Sequence, residues 1–195
     1  QNPHPRRTLA LAEQHGQAMA NAALAGTTAI RDVIGPGVRS ALATVDLAYA
    51  PPPSPADLEK RLASKAYFEA DHARLLLAQI ERDGQLARSY PCPVQVVRLG
   101  RELILVALGG EVVVDYSLRL KRELAGPARV WVAGYCNDVF TYVPSERVLA
   151  EGGYEGGRCM RYTETMGLHP GPWERGLEDR IVGKVHQLVS ETAAP

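Results

Sequence analysis

The sequence predicts an α/β fold: a mixed sheet with a parallel βαβ unit at 102–135 and helices packed on it. The run "ELILVAL" (102–108) is apolar almost throughout, which is typical of a strand buried on both faces. The segment "VVVDYSLRLKREL" (112–124) has helical periodicity, and "RVWVAGY" (129–135) is a second short apolar strand. A strand, a helix and a strand within about 30 residues form a unit whose strands run parallel, with a right-handed crossover.

Two elements are predicted near the N-terminus. The segment "TLALAEQHGQAMANAALAG" (8–26) has apolar residues near helical spacing, with Thr8 as its N-cap and Gly26 as the residue that ends it. Between residues 41 and 49, apolar side chains alternate with polar ones, which predicts a half-buried strand.

The segment 54–84 is predicted to be one long helix. Ser54 is its N-cap, Pro55 occupies the first helical position, and Asp57 follows three residues after the cap. Gly84 ends the helix. The apolar face of this helix comprises Leu58, Leu62, Ala66, Ala73, Leu76 and Ile80.

Two more elements complete the prediction. The segment "VQVVRL" (94–99) is a strand that turns at Gly100 into the strand at 102–108. The segment "PWERGLEDRIVGKVHQLVSE" (172–191) is a closing helix. The residues of its apolar stripe are Leu177, Ile181, Val185 and Leu188.

Composition excludes several classes of partner. The 195 residues suit one compact domain or two small ones, and we expect a single domain over 1–195. The formal net charge is zero, so no bulk electrostatic attraction to nucleic acid is expected. No apolar run approaches the ~20 residues of a transmembrane helix. Cys92, Cys136 and Cys159 are too widely spaced for a disulfide framework or a zinc knuckle, so the compartment stays open.

Polar residues follow both strands of the βαβ unit. Glu111 lies just past the first strand and 137–142 just past the second, so both are predicted at one edge of the sheet. Glu111 is either the N-terminal charge of the next helix, which its residue type alone favours, or a ligand in a cleft. Tyr142 and Tyr154 are likewise either packing side chains or members of that cleft.

The histidines and the glycine-rich segment give weaker signals. None of the five histidines forms an H-x-x-x-H or H-x-H pair. His72 and His186 lie on predicted helices, where a solvated or capping role is favoured over metal ligation. The segment "GGYEGG" (152–157) neither follows a strand nor opens a clear helix, which makes it a weak candidate for a phosphate-binding loop.

The segments "LVALGGEVVVDYSLRLKREL" and "VWVAGYCNDVFTYVPSERVLAEGGYEGG" resemble the neutral/alkaline (non-lysosomal) ceramidase family, and more closely its bacterial ceramidase-like branch. The resemblance rests on "GGE" (109–111), "RLKRE" (119–123), "GYCN" (134–137), Tyr142 and "YE" (154–155), with twelve residues separating the two tyrosines.

The resemblance implies a zinc-dependent amidohydrolase that cleaves the N-acyl amide of a sphingolipid or similar lipid, and it is compatible with a secreted or periplasmic protein. In that family two histidines, a glutamate and a tyrosine hold the zinc. Carried over to this sequence, Glu111 and Tyr142 are metal ligands. Tyr154 is the catalytic residue that donates a hydrogen bond to the developing oxyanion.

The family's histidine ligands lie upstream of the matched region. The chain therefore resembles the C-terminal part of the catalytic domain, and we expect an N-terminal part before Gln1 to supply the histidines. Alone, the chain is expected to hydrolyse weakly or not at all.

The family also carries a Gly-Asp-x-Ser-Pro-Asn motif with a serine needed for catalysis. "QNPHP" (1–5) resembles the end of this motif, with Asn2 where the serine stands. The alternative function is therefore a non-catalytic binding domain with a ceramidase-like fold. A third interpretation is a structural module whose tyrosines only pack.

Overall fold

A computed structural model describes residues 8–29 and 33–193, and the chain divides into two compact units, Gln1–Val33 and Ile34–Pro195. The first unit contains the helix α1 (Leu9–Ala29), in which no residue is buried. Thr8 caps it as predicted, because its Oγ1 accepts the N–H of Leu11 at 3.3 Å. The helix does not end at Gly26, since an exposed glycine inside a helix costs only about 1 kcal/mol.

The second unit has the predicted α/β architecture. Its elements, in chain order, are β1 (Val38–Ala48), α2 (Pro55–Leu62), α3 (Tyr67–Asp83), β2 (Ser89–Leu99), β3 (Leu103–Leu108), β4 (Glu111–Val112), α4 (Val114–Glu123), β5 (Arg129–Ala133), β6 (Tyr142–Val143), α5 (Glu146–Glu151), a 3₁₀ turn (Arg158–Arg161), α6 (Thr163–Met166) and α7 (Leu177–Thr192).

The main sheet is mixed and has the order β1-β2-β3-β5. Strands β1, β2 and β3 form antiparallel pairs, and the turn between β2 and β3 passes through Gly100 at a φ of +57°. Strand β5 runs parallel to β3, with Leu103 opposite Arg129 and Ala107 opposite Ala133. The predicted βαβ unit is therefore confirmed, with α4 as its crossover helix.

One face of the sheet carries the core. Helix α7 packs on β1 and β2, and α4 packs on β5. The predicted stripe of α7 is fully buried: Leu177, Ile181, Val185 and Leu188. The opposite face is open, because Leu42 and Trp131 on it are both 60% exposed. Burial of β3 on both faces was therefore a wrong prediction, since Leu103 and Leu105 on the open face are only half-buried.

The predicted helix at 54–84 is two helices, α2 and α3. Ser64 interrupts it: its Oγ accepts the N–H of Ala66 at 3.3 Å and donates to Oε2 of Glu69 at 2.9 Å. Short polar side chains compete in this way with the helical hydrogen bonds. The predicted cap is confirmed, since the N–H of Asp57 donates to Oγ of Ser54, and Gly84 ends α3 in the left-handed conformation.

Two other helices begin later than predicted. The closing helix begins at Leu177 rather than at residue 172, because Trp173 pairs with Tyr49 in an isolated antiparallel bridge. The helix of the βαβ unit begins at Val114, because the two residues of β4 pair with β6.

The three cysteines are free in the structure, and Cys92 and Cys159 are buried. Among residues 8–29 and 33–193, no helix has both the length and the apolar character that crossing a membrane requires.

Candidate functional site

The candidate site lies where the ends of two parallel strands meet. Glu111 and Tyr142 are direct partners in the parallel pair formed by β4 and β6. The N–H of Glu111 donates to the carbonyl of Thr141 at 2.9 Å, and the N–H of Val113 donates to that of Val143 at 3.3 Å. The segments that follow β3 and β5 therefore share one edge of the sheet, as the sequence predicts.

Two glycines allow this close approach. Gly110 has a φ of +70°, and a Cβ built on it would lie 2.7 Å from Cγ2 of Val143. A Cβ on Gly109 would lie 2.8 Å from the ring of Pro93. Glycine is therefore needed at both positions for Glu111 to reach its place beside Tyr142.

The loop after β5 is held against the end of β3 by backbone hydrogen bonds. The N–H of Tyr135 donates to the carbonyl of Gly110 at 2.8 Å, and the N–H of Gly110 donates to that of Asp138 at 2.8 Å. Tyr135 and Asn137 both adopt the left-handed conformation, with φ of 58° and 66°. Such residues persist only where the surrounding contacts fix them, and they are concentrated at functional sites.

The Glu111 carboxylate is surrounded by phenols. Its interaction with the phenols of Tyr135 and Tyr142 contributes to a raised pKa of both. Burial and then the interaction with Glu111 raise the pKa of Tyr142 to about 12, and the interaction with Glu111 is the main cause of the raised pKa of Tyr135. Both phenols are therefore protonated donors near neutral pH.

Tyr154 completes the group of side chains. Its ring meets that of Tyr142 edge-on, with centroids 5.5 Å apart, and lies tilted against Tyr162 at 5.7 Å. The N–H of Cys159 donates to its backbone carbonyl at 2.9 Å, which holds the loop in place. Burial is the main cause of the raised pKa of Tyr154, so this phenol is also protonated. The structure thus brings together all three predicted site residues.

Glu111 is not the N-terminal charge of α4. It lies on β4, and the acidic residue in the first turn of α4 is Asp115, which pairs with Arg147 and accepts a hydrogen bond from Ser145. The carboxylate of Glu111 therefore belongs to the candidate site and not to the start of α4.

The candidate site holds two oxygen donors on paired residues, Glu111 and Tyr142. Structural and catalytic zinc ions take three or four protein ligands, mostly nitrogen and sulfur, with carboxylate oxygen as a minority. Within residues 8–29 and 33–193, no group of three or more histidines, cysteines or acidic residues is placed to hold a metal ion.

Sequence reasoning missed two buried histidines behind the site. Nε2 of His169 donates to the carbonyls of Met166 at 2.7 Å and Phe140 at 3.2 Å, and its Nδ1 accepts from the hydroxyl of Tyr49 at 2.7 Å. His72 donates from Nε2 to the carbonyl of His169 at 2.7 Å. Burial is the main cause of the lowered pKa of both rings.

The predicted solvated or capping role of His72 was wrong, because this side chain is 1% exposed. Its burial depends on packing against a segment 97 residues later in the chain, which no local pattern signals. His186 is partly exposed as predicted, and its Nε2 lies 2.8 Å from the carboxylate of Glu123.

The motif at residues 1–5, with Asn2, lies outside the described residues. No protein-family model matches this chain, and no curated protein matches it either.

Proposed function

We propose that this chain is part of a zinc-dependent amidohydrolase similar to the neutral ceramidases, hydrolysing the N-acyl amide of a sphingolipid or a similar N-acyl lipid. One observation carries the proposal: Glu111, Tyr142 and Tyr154 meet beyond the carboxyl ends of two parallel strands, although 43 residues separate the first from the last. The same three positions carry the resemblance in the sequence.

The roles proposed for the side chains follow from their chemistry. Glu111 and Tyr142 would each give one oxygen to the metal, and two histidines from a segment outside this chain would complete the site. The chemistry that zinc supplies in such sites is Lewis acidity toward a carbonyl oxygen and activation of water. Tyr154, protonated and packed on the ring of Tyr142, would donate a hydrogen bond to the oxygen of the scissile amide.

The test is zinc content and N-acylsphingosine hydrolysis, measured on the full-length protein that contains this chain. Glu111→Gln and Tyr142→Phe are expected to lower the zinc content, because the first replaces a carboxylate ligand with a neutral amide and the second removes the phenol oxygen. Tyr154→Phe is expected to keep its zinc and to lose about 10²–10³-fold in kcat, the usual cost of one oxyanion donor.

Tyr162→Phe is the matched control. Its ring also packs against Tyr154, but no hydrogen bond of its hydroxyl is found within the described ranges, so zinc content and rate should both stay unchanged. Full zinc content in both Glu111→Gln and Tyr142→Phe would overturn the proposed ligand roles.

The second candidate function is a non-catalytic binding domain with the same fold. Asn2, in place of the family's serine, favours it. A full-length protein that holds no zinc and hydrolyses no N-acyl lipid, yet binds one, would favour this candidate over the enzyme.

A further inference from the structure

A cavity lies beside the glycine-rich segment 152–157, which also carries Tyr154. Its volume is about 440 Å³, within the range of small-ligand pockets. Three arginines line it, Arg61, Arg158 and Arg161, together with His72 and the four glycines of the segment 152–157. No carboxylate is found in its lining, so the side chains around it are cationic or apolar.

Two of the three arginines have no ion-pair partner among the described residues. Arg161 forms an ion pair with Glu69. Arg61 and Arg158 form no salt bridge with any other residue in the described ranges. They come from α2 and from the 3₁₀ turn, so only the folded chain brings the two guanidinium groups to one cavity. Arginine presents planar pairs of donors that match phosphate oxygens.

The glycine-rich segment forms a wall without side chains. Gly152, Gly153 and Gly157 have φ of 72°, 79° and 145°, and a Cβ on Gly156 would lie 2.4 Å from the carbonyl oxygen of Gly152. Within the described part of the chain, no backbone hydrogen bond uses the N–H of Gly153 or Gly156. Backbone amides in such turns are common partners of phosphate oxygens.

His72 lies in the wall of this cavity and is only 1% exposed. Its Nε2 donates to the carbonyl of His169, and its Nδ1 is buried without a hydrogen-bond partner among the residues that the structure describes. Because Nδ1 has no accessible surface, the ring supports the wall and is not itself a contact for a ligand.

We propose that this cavity binds a phosphate group, either free phosphate or a phosphate monoester, with Arg61 and Arg158 holding the charge beside the glycine-rich wall. The proposal is independent of the proposed hydrolytic function, because it requires neither zinc nor turnover.

The first test is isothermal titration calorimetry of this chain with inorganic phosphate and with glycerol 3-phosphate. Both are expected to bind, because the two arginines offer charge-assisted hydrogen bonds to phosphate oxygens. Absence of phosphate binding would overturn the proposal.

The matched variants are Arg61→Ala, Arg158→Ala and Arg180→Ala. The first two should each weaken phosphate binding about 10–100-fold, because each removes a charge-assisted hydrogen bond. Arg180 is an exposed arginine on α7 that does not line the cavity, so its variant should bind as the wild type does. An equal loss of phosphate affinity in all three variants would show that only the net charge of the protein matters. That outcome would contradict binding at this cavity.

The source of the phosphate is decided by a further comparison. If the natural ligand is a lipid headgroup, the protein should sediment with vesicles of phosphatidylcholine that contain phosphatidic acid, and Arg158→Ala should abolish this. If the ligand is a soluble monoester, glycerol 3-phosphate should bind in calorimetry while the same vesicles leave the protein in the supernatant.

Discussion

At the scale of single residues, the site depends on two non-glycine residues in a conformation that L-residues avoid. Tyr135 and Asn137 have φ of 58° and 66°. Asparagine tolerates this region well, but a tyrosine there costs about 1–3 kcal/mol. The ring of Tyr135 is 57% exposed, so packing offsets little of that cost. What the residue contributes is a phenol whose pKa is raised by its interaction with Glu111.

Replacing Tyr135 with glycine should therefore stabilise the fold while it removes the phenol from the candidate site. Tyr135→Gly is expected to raise the free energy of unfolding by about 0.5–1 kcal/mol, because relief of the left-handed backbone exceeds the added entropy of glycine in the unfolded chain. Urea unfolding measures this change. Tyr135→Ala, which keeps the backbone cost and also removes the ring, is the control and should not be more stable than the wild type. A less stable glycine variant would contradict the argument.

At the scale of elements, the pair β4–β6 sets the distance between Glu111 and Tyr142. Each of these two strands is only two residues long, and the positive φ of Gly110 lets the backbone turn into β4. The side chain of Val143 and the carbonyl of Thr141 leave no room for a Cβ at that glycine. The candidate site therefore depends on a small area of close backbone packing.

Gly110→Ala is expected to lower the free energy of unfolding by about 3 kcal/mol, combining a left-handed alanine with overpacking against β6. Chemical denaturation measures it. The control is Gly183→Ala, at an exposed position inside α7 with no atom within 4 Å of the added Cβ. That substitution should raise stability by about 0.5–1 kcal/mol through helix propensity. Equal effects of the two substitutions would contradict the role given to Gly110.

At the scale of the whole molecule, two buried histidines connect distant parts of the second unit. His169 joins the segment before α7 to Phe140 beside the site and to Tyr49 after β1. His72 joins α3 to the carbonyl of His169. Both rings are neutral in the folded protein, because burial lowers their pKa below the ordinary value of 6.5.

Acid should therefore destabilise the fold through these rings. Their contribution to stability is fully present above about pH 6.5 and is lost as the pH falls below it toward the folded-state pKa, since the unfolded chain then binds more protons. The measurement is the urea midpoint at about pH 7.5 and about pH 5.5. His169→Gln should show a smaller fall than the wild type, while His15→Gln, on exposed α1, should match the wild type. The same fall in His169→Gln as in the wild type would contradict the prediction.

Several features were determined by the sequence alone, because they depend on neighbours in the chain. The periodicity of 102–135 predicted the parallel pair β3–β5 with α4 between its strands, and the cap at Ser54 and the end at Gly84 were local signals. The common edge of Glu111 and Tyr142 also followed, since it is a consequence of parallel topology.

Other features were decided only by the tertiary structure, because they depend on contacts between distant segments. The break at Ser64, the late start of α7 and the burial of His72 depend on a side-chain hydrogen bond, a bridge between Tyr49 and Trp173, and a carbonyl 97 residues away. The cavity lined by Arg61 and Arg158 also depends on contacts between distant segments. The segment "GGYEGG" alone was only a weak signal for it. Local patterns encode the elements of this protein, and long-range packing decides which polar groups are buried together.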